Sequence, residues 1–137
     1  MVQLHGDEAP LICEKIADNI PVIKAFRLLN NDDVLYKILP YREIVDYFLF
    51  DTNTKSFGGS GKRFDWNILK SQPLEKPFFL SGGISEEHLP DLKVFRKLSV
   101  AKSLISLDIN SRFETAPGMK DLDKIRAFLR QLKEDEQ

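Results

Sequence analysis

Two kinds of hydrophobic pattern alternate along the chain. Short strand-like runs occupy residues 2–5, 21–26, 46–51, 77–81 and 104–109, and the third has the continuous apolar centre typical of a strand buried on both faces. Segments whose apolar residues recur at helical spacing cover residues 9–19, 30–39, 65–70, 85–98 and 121–132. The pattern therefore predicts five consecutive strand–helix units.

Strands that alternate with helices form a parallel sheet with right-handed crossovers, so the predicted fold class is α/β. Two architectures remain open from the pattern alone: an open, doubly wound sheet and a part of a (β/α)8 barrel. The chain has 137 residues, whereas a full barrel needs about 200 or more. On length alone we expect an open five-stranded sheet.

Capping residues mark where several of the predicted helices begin. Asn30 or Asn31 is expected to cap the second helix and Asp65 the short third one. Ser85 is expected to open the fourth helix and Asp121 the last. The apolar residues of the last helix that we expect to face inward are Leu122, Ile125, Phe128, Leu129 and Leu132.

The composition argues against several classes of protein. Twenty basic residues against 21 acidic ones leave a net charge of -1, which argues against a nucleic-acid partner. No apolar run reaches the roughly 18 residues of a membrane span, and residues 1–10 do not have the pattern of a signal peptide. The single cysteine, Cys13, cannot form an internal disulfide and favours a reducing, cytoplasmic location.

Polar residues and glycines follow the predicted strands, where parallel α/β folds carry their chemistry. They are Gln3 and His5, Lys24, Asp51, Ser81 with Gly82 and Gly83, and Asp108 with Asn110 and Ser111. Structural interpretations stay open: His5 as a hydrogen-bonded structural histidine, Asp51 as a turn cap and Asp108 as an acceptor of loop amides. The pattern indicates where a site would be.

Two glycine-rich segments are candidates for anion binding. Gly82 and Gly83 directly follow a strand, where bare backbone amides can surround an anion, although both also suit an ordinary tight turn. Residues 58–62, Gly-Gly-Ser-Gly-Lys, miss the P-loop spacing because position 56 is serine and position 63 is arginine. We expect residues 58–62 to form a lid.

Cys13 is the one candidate for a thiol nucleophile. It lies at a helical position among Leu11, Ile12 and Ile16, away from any strand end. We therefore expect Cys13 to act as a small, buried hydrophobic residue.

Four motifs occur in order along the chain. They are Val-Gln-Leu-His-Gly-Asp-Glu at 2–8, Asp-Thr with Gly-Gly-Ser-Gly-Lys and Phe-Asp-Trp at 51–66, Leu-Ser-Gly-Gly-Ile at 80–84 and Asp-Ile-Asn-Ser with Pro-Gly at 108–121. Together they resemble the phosphoribosylanthranilate isomerase family, from the fourth to the eighth strand of its barrel. The resemblance covers nearly the whole chain.

The resemblance implies a parallel (β/α)8 barrel, of which residues 1–137 form one partial domain of about five units. This would be the C-terminal portion of the enzyme, from the fourth barrel strand onward. The family's first three units, with a general-base cysteine and an arginine that meets the anthranilate carboxylate, have no counterpart here. The isolated chain is therefore expected to be inactive, and to self-associate or to pair with the missing N-terminal part.

The resemblance also implies a reaction, the Amadori rearrangement of N-(5-phosphoribosyl)anthranilate to 1-(2-carboxyphenylamino)-1-deoxyribulose 5-phosphate in tryptophan biosynthesis. The substrate is a small phosphorylated sugar, and no metal or redox cofactor is implied. Asp51 matches the general acid. Gln3, His5 and Asp108 match substrate-lining residues, and the phosphate candidates are Gly82, Gly83, Asn110, Ser111 and Arg112. The alternative from another class is a non-catalytic small α/β module that binds phosphate.

Overall fold

The computed structural model describes residues 1–52 and 63–134. The main sheet contains β1 (Val2–Leu4), β2 (Val22–Leu28), β3 (Tyr47–Thr52), β4 (Phe78–Leu80) and β5 (Leu104–Leu107). The α-helices are α1 (Pro10–Ala17), α2 (Val34–Ile38), α3 (Leu89–Phe95) and α4 (Leu122–Lys133). Short 3-10 helices lie at Trp66–Leu69, Glu86–His88, Ser99–Ser103 and Ser111–Phe113, and a hairpin of β6 (Glu114–Ala116) and β7 (Met119–Lys120) precedes α4.

The five strands of the main sheet are parallel and lie in sequence order, β1-β2-β3-β4-β5. The prediction of a parallel α/β sheet is therefore confirmed. A doubly wound sheet reverses its strand order, and this sheet does not, so the expectation of that architecture is wrong. In the described part of the chain, β1 and β5 each pair with one strand only.

Alternating side chains of β3 show how the sheet is divided into two faces. Phe48 and Phe50 are completely buried on what we call the outer face, which packs against the helices. The ring of Phe26 from β2 meets that of Phe48 edge-on with 5.5 Å between centroids, and Phe50 meets Phe78 of β4 in the same way. Burial of each ring contributes about 2–3 kcal/mol, so the outer face holds the main core.

The opposite, inner face has a much smaller cluster. Ile23, Ala25 and Leu49 are its buried residues, and Tyr47 and Phe79 pack beside them, with their rings 6.0 Å apart. These residues come from the three central strands. The inner face of the sheet therefore has a hydrophobic centre without a second layer over it among the described residues.

The predicted caps are confirmed at two helices and wrong at one. The Asp65 carboxylate accepts from the amide of Asn67, and the Asp121 carboxylate accepts from that of Lys124. α2 begins later than expected, because Asp33 caps it by accepting from the amide of Tyr36. Asn30 instead accepts from the Asp65 amide at 2.6 Å and joins two loops.

The fourth predicted helix is divided. Ser85 opens a 3-10 turn over Glu86–His88, and α3 then begins at Leu89. Pro90 falls in the first turn of α3, where its missing N–H is tolerated, so the chain changes from one helix type to the other just before it.

The last helix is confirmed, but its expected inward face is partly wrong. Phe128 is buried, whereas Leu122 is 60% exposed and Leu129 is 44% exposed. α4 packs against α3 and the Ser111–Phe113 turn, and it lies beyond β5, the last strand of the sheet. One side of its apolar stripe therefore has no neighbour among the described residues.

Candidate active site

Asp51 belongs to a short chain of hydrogen-bonding side chains at the carboxyl edge of the sheet. Its Oδ2 lies 3.2 Å from Nε2 of His5. Nδ1 of His5 lies 2.7 Å from the side-chain nitrogen of Gln3. With the Gln3 amide donating to Nδ1, the Nε2–H of His5 donates to the Asp51 carboxylate. The structure thus brings together three of the residues predicted for the site.

A small residue on β2 lets His5 reach Asp51. β2 lies between β1 and β3, and the pairing of Leu4 with Lys24 brings Ala25 level with His5. Ala25 carries only a methyl group, so the imidazole can cross β2 above it. A cavity of about 470 Å³ opens beside His5, with the Arg27 side chain also in its lining.

Lys24 binds the loop after β1 from the outer face of the sheet. We expected Lys24 at the sheet edge, but its side chain is 3% exposed and points to the outer face. Its ammonium donates to the Gly6 carbonyl at 2.8 Å and to the Glu8 carboxylate at 3.1 Å. Burial raises the pKa of Glu8, but hydrogen bonds from its own amide and from Lys24 outweigh that effect and bring the pKa below its ordinary 4.5. Lys24 therefore fixes the loop that follows His5.

Thr52 joins Asp51 to the glycine turn after β4. The Thr52 hydroxyl donates to the Gly82 carbonyl at 3.3 Å and accepts from the Phe64 amide at 3.1 Å. A Cβ atom at Gly82 would lie 2.4 Å from the Thr52 hydroxyl oxygen and 3.0 Å from Oδ1 of Asp51. Only glycine fits at this position, because the backbone of the turn lies directly against Thr52 and Asp51.

The glycine turn presents backbone in a conformation that side chains disfavour. Gly82 has φ +98° and Gly83 has φ +72°. Within the described residues their amides donate to no protein group, so they are available to an anion. Beside the turn, the Ser81 hydroxyl donates to the Asp108 carboxylate at 3.1 Å. Asp108 therefore lies next to the turn, as expected of a residue at the end of the neighbouring strand.

The loop after β5 is held by a residue that the sequence analysis missed. Lys120, on β7, donates to the side-chain oxygen of Asn110 and to the Glu114 carboxylate, both at 2.6 Å. Ser111 and Arg112 follow in an exposed 3-10 turn. The Pro117-Gly118 pair signals a turn, but the two short strands on either side of it have no apolar pattern that would predict them.

Two other predictions concern residues outside this cluster. Cys13 is completely buried in the outer core, which confirms the prediction that it is a small buried residue, and burial raises the pKa of its thiol. The predicted lid at residues 58–62 lies outside the described residues.

The described residues contain no group of three His, Cys, Asp or Glu side chains that could hold a metal ion. No helix among them is both long and apolar enough to cross a membrane.

Comparison with known proteins decides the family. A family model described as N-(5'-phosphoribosyl)anthranilate (PRA) isomerase matches residues 1–131. The chain belongs to this family. The family's enzyme from Parabacteroides distasonis is 44% identical over 132 residues, which make up 96% of this chain and 58% of the relative. The one from Thermotoga maritima is 40% identical over 134 residues, or 96% of this chain and 60% of the relative.

Solved structures of the PRA isomerase family have the same fold. The crystal structure of the Thermus thermophilus enzyme matches 95% of this chain and 58% of its own chain, with a TM-score of 0.70 and 30% identity. A monomeric form generated from the dimeric Thermotoga maritima enzyme matches 97% of this chain and 59% of its own chain, with a TM-score of 0.65 and 32% identity. The chain thus spans about three-fifths of the length of the family members it matches.

Proposed function

We propose that the chain supplies the general acid and the phosphate site for the isomerisation of N-(5-phosphoribosyl)anthranilate. The observation that carries this proposal is that the Gly82 turn packs directly against two neighbouring residues, Asp51 and Thr52. A carboxyl group able to transfer a proton lies beside bare amides able to bind a phosphate. An aldose–ketose isomerisation of a phosphorylated sugar needs both.

Asp51 is the group we assign to ring opening. Its carboxyl group gives a proton to the furanose ring oxygen, the bond between that oxygen and C1 breaks, and the nitrogen lone pair forms the C1=N bond of a Schiff base. His5, itself oriented by Gln3, donates to Oδ2 of Asp51, and the Thr52 amide donates to Oδ1 at 2.8 Å, so the carboxyl group is held in one orientation at the edge of the sheet. Positioned acids of this kind contribute about 10²–10⁴-fold to a rate.

The second half of the reaction needs a base for the C2 proton. Removal of that proton gives an enolamine, which becomes the aminoketone when the C2 hydroxyl proton leaves and C1 takes up a proton. The atoms of substrate and product are the same. By the family resemblance the base is a cysteine on the first barrel strand, and Cys13 is not its substitute, because its thiol is buried in the outer core.

The phosphate of the substrate is assigned to the loops after β4 and β5. No described residue accepts from the amides of Gly82 and Gly83, and the side chain of Asn110 is fixed by Lys120, which also pairs with the Glu114 carboxylate. Ser111 and the cationic Arg112 lie in the exposed turn that follows. Asp108, which accepts from Ser81, is assigned to the sugar next to the phosphate.

We further propose that residues 1–137 form the C-terminal portion of a (β/α)8 barrel, from its fourth strand onward. The strand order, the two edge strands and the inner hydrophobic cluster support this interpretation. So does an apolar groove of about 280 Å³ between β5 and α4, with Ile105 and Leu129 in its lining. A further strand and helix would fill that groove and pair with the β5 edge.

The experiment joins this chain to the part of the Parabacteroides distasonis relative that it does not match, and follows loss of anthranilate fluorescence. We expect turnover by the joined protein and none by the chain alone, which should self-associate in sedimentation. Turnover by the chain alone would mean that a base lies within these residues, with His5 the first to test. Sulfate binding without turnover in the joined protein would favour the non-catalytic module.

A further inference from the structure

His88 comes five residues after Gly83 in the chain and has no part in the function proposed above. Its Nδ1 accepts a hydrogen bond from the Ser85 amide at 3.0 Å, and the Ser85 hydroxyl lies 3.3 Å from the same nitrogen. In return, the His88 amide donates to the Ser85 carbonyl at 3.1 Å. Ser85 is 9% exposed and comes two residues after Gly83, so this pair of bonds fixes the backbone directly after the turn.

The arrangement resembles a capping box with an unusual third residue. In a capping box the side chain at the third helical position accepts from the amide of the capping residue, and that side chain is normally Glu or Gln. Neither of those changes its charge between pH 5 and 8, whereas a histidine does. A proton on Nδ1 would place an N–H group opposite the N–H of Ser85, and the hydrogen bond would be lost.

We propose that His88 is a positioning residue that keeps the Gly82-Gly83 turn in its anion-binding form only while its imidazole is neutral. The proposal rests on the phosphate site assigned above. It makes anion binding by this chain sensitive to pH through a residue that does not touch the anion.

The surroundings of His88 favour its neutral form. Burial lowers the pKa of His88 below its ordinary 6.5, and the positive charge of Arg63 lowers it further. The other charged groups that act on it are Asp91 on α3 and Glu87 on its own turn, which raise the pKa, and Arg112 from the loop after β5, which lowers it. The Trp66 ring also packs edge-on against the imidazole, with 6.0 Å between ring centroids.

The direction of the pH effect follows from this shift. The unfolded chain takes up the proton at a higher pH than the folded one, so the stabilisation by neutral His88 is complete above about pH 6.5. It is lost as the pH falls from that value to the lowered pKa of His88 in the folded chain, and the hydrogen bond from the Ser85 amide breaks as the pH falls through that lowered pKa. His88 is the histidine of this cluster, and histidine is the side chain that ordinarily changes its charge between pH 5 and 8.

The test measures sulfate affinity at pH 7.5 and pH 5 from the amide shifts of Gly82 and Gly83, in the 137-residue chain and in the joined protein. Sulfate is the probe because its charge is constant over this range. We expect the affinity of the wild type to fall about fivefold more than that of His88→Gln, in which glutamine restores a non-titrating acceptor. Residue 88 is the one difference between the two proteins, so their comparison isolates the contribution of His88.

Two further measurements make the result decisive. Side-chain nitrogen shifts should show an unprotonated Nδ1 at pH 7.5, and His88→Ala should reduce the exchange protection of the Ser85 amide at pH 7.5, while His88→Gln restores it. Equal pH dependence in wild type and His88→Gln, or a protonated Nδ1 at pH 7.5, would overturn the inference. Absence of sulfate binding at both pH values would count against the phosphate site, and Ser85 protection would still decide the role of His88.

Discussion

The acid half and the anion half of the candidate site lie at one edge of the sheet but are built in different ways. The acid half is Gln3, His5 and Asp51, and the anion half is Gly82, Gly83, Asn110 and Ser111. In the acid half each side chain is hydrogen-bonded to the next, so the chemistry depends on the identity of the side chains. At the glycines of the anion half we propose that the backbone amides are the donors, so the chemistry proposed there depends on the absence of side chains. Substitutions should therefore separate the two halves.

The largest expected effect is that of Asp51→Asn in the joined protein. An asparagine keeps the shape of the side chain but cannot transfer the proton, so kcat should fall about 10²–10⁴-fold while sulfate affinity is retained. Asp33→Asn is the matched control, because asparagine caps α2 as well as aspartate does. A change in kcat of less than about threefold, with chemistry limiting turnover, would exclude Asp51 as the acid.

Gly82→Ala should affect the anion half first. The new Cβ would collide with Thr52 and the residue is held at positive φ, so we expect a loss of about 3 kcal/mol in the free energy of unfolding and loss of sulfate binding. Gly118→Ala is the control for strain alone, since Gly118 also has positive φ but has open space around its Cβ position. It should cost about 1 kcal/mol and leave sulfate binding intact. Equal effects of the two substitutions in denaturant titrations would refute the close packing at Gly82.

Lys24→Met tests whether the hydrogen bonds of the Lys24 ammonium stabilise the loop after β1. The Gly6 carbonyl and the Glu8 carboxylate would lose their donor, which should reduce the free energy of unfolding by about 2 kcal/mol at pH 7. Lys37→Met removes a more exposed ion pair with Asp32 and should cost less than about 1 kcal/mol. Similar losses for the two variants in urea titrations would contradict a special role for Lys24.

The smallest expected effect is that of Cys13→Ala. It removes a buried sulfur atom from the outer core, so the free energy of unfolding should fall by about 1 kcal/mol. Turnover of the joined protein should be unchanged, because the thiol lies away from both halves of the site. Loss of activity without loss of stability would give Cys13 a chemical role after all.

The sheet and the acid half could be predicted because their signals are local. Strand-like runs, aspartate caps and a carboxylate at a strand end are all visible in a few consecutive residues. The link between His5 and Asp51 needs β2 between them with a small residue at Ala25, and that depends on strand order and register.

The remaining differences arise from contacts between distant residues. From the sequence alone, Lys24 is expected at the edge of the sheet. The alternation of side chains along β2 places it on the outer face instead, where loop carbonyls accept hydrogen bonds from its ammonium group. Leu122 and Leu129 suit an inward stripe, yet they are exposed because α4 packs at the end of the sheet. Lys120 reaches Asn110 only through the hairpin, whose short strands carry little apolar signal.

The central claim is that this edge of the sheet carries an anion site made of backbone amides beside a side-chain acid. Titration of the isotopically labelled protein with sulfate at pH 7.5, followed by amide shifts, tests it directly. We expect saturable shifts at Gly82, Gly83, Asn110 and Ser111, and we expect the same shifts in Asp51→Asn. Shifts elsewhere in the chain, with none at these four residues, would contradict it.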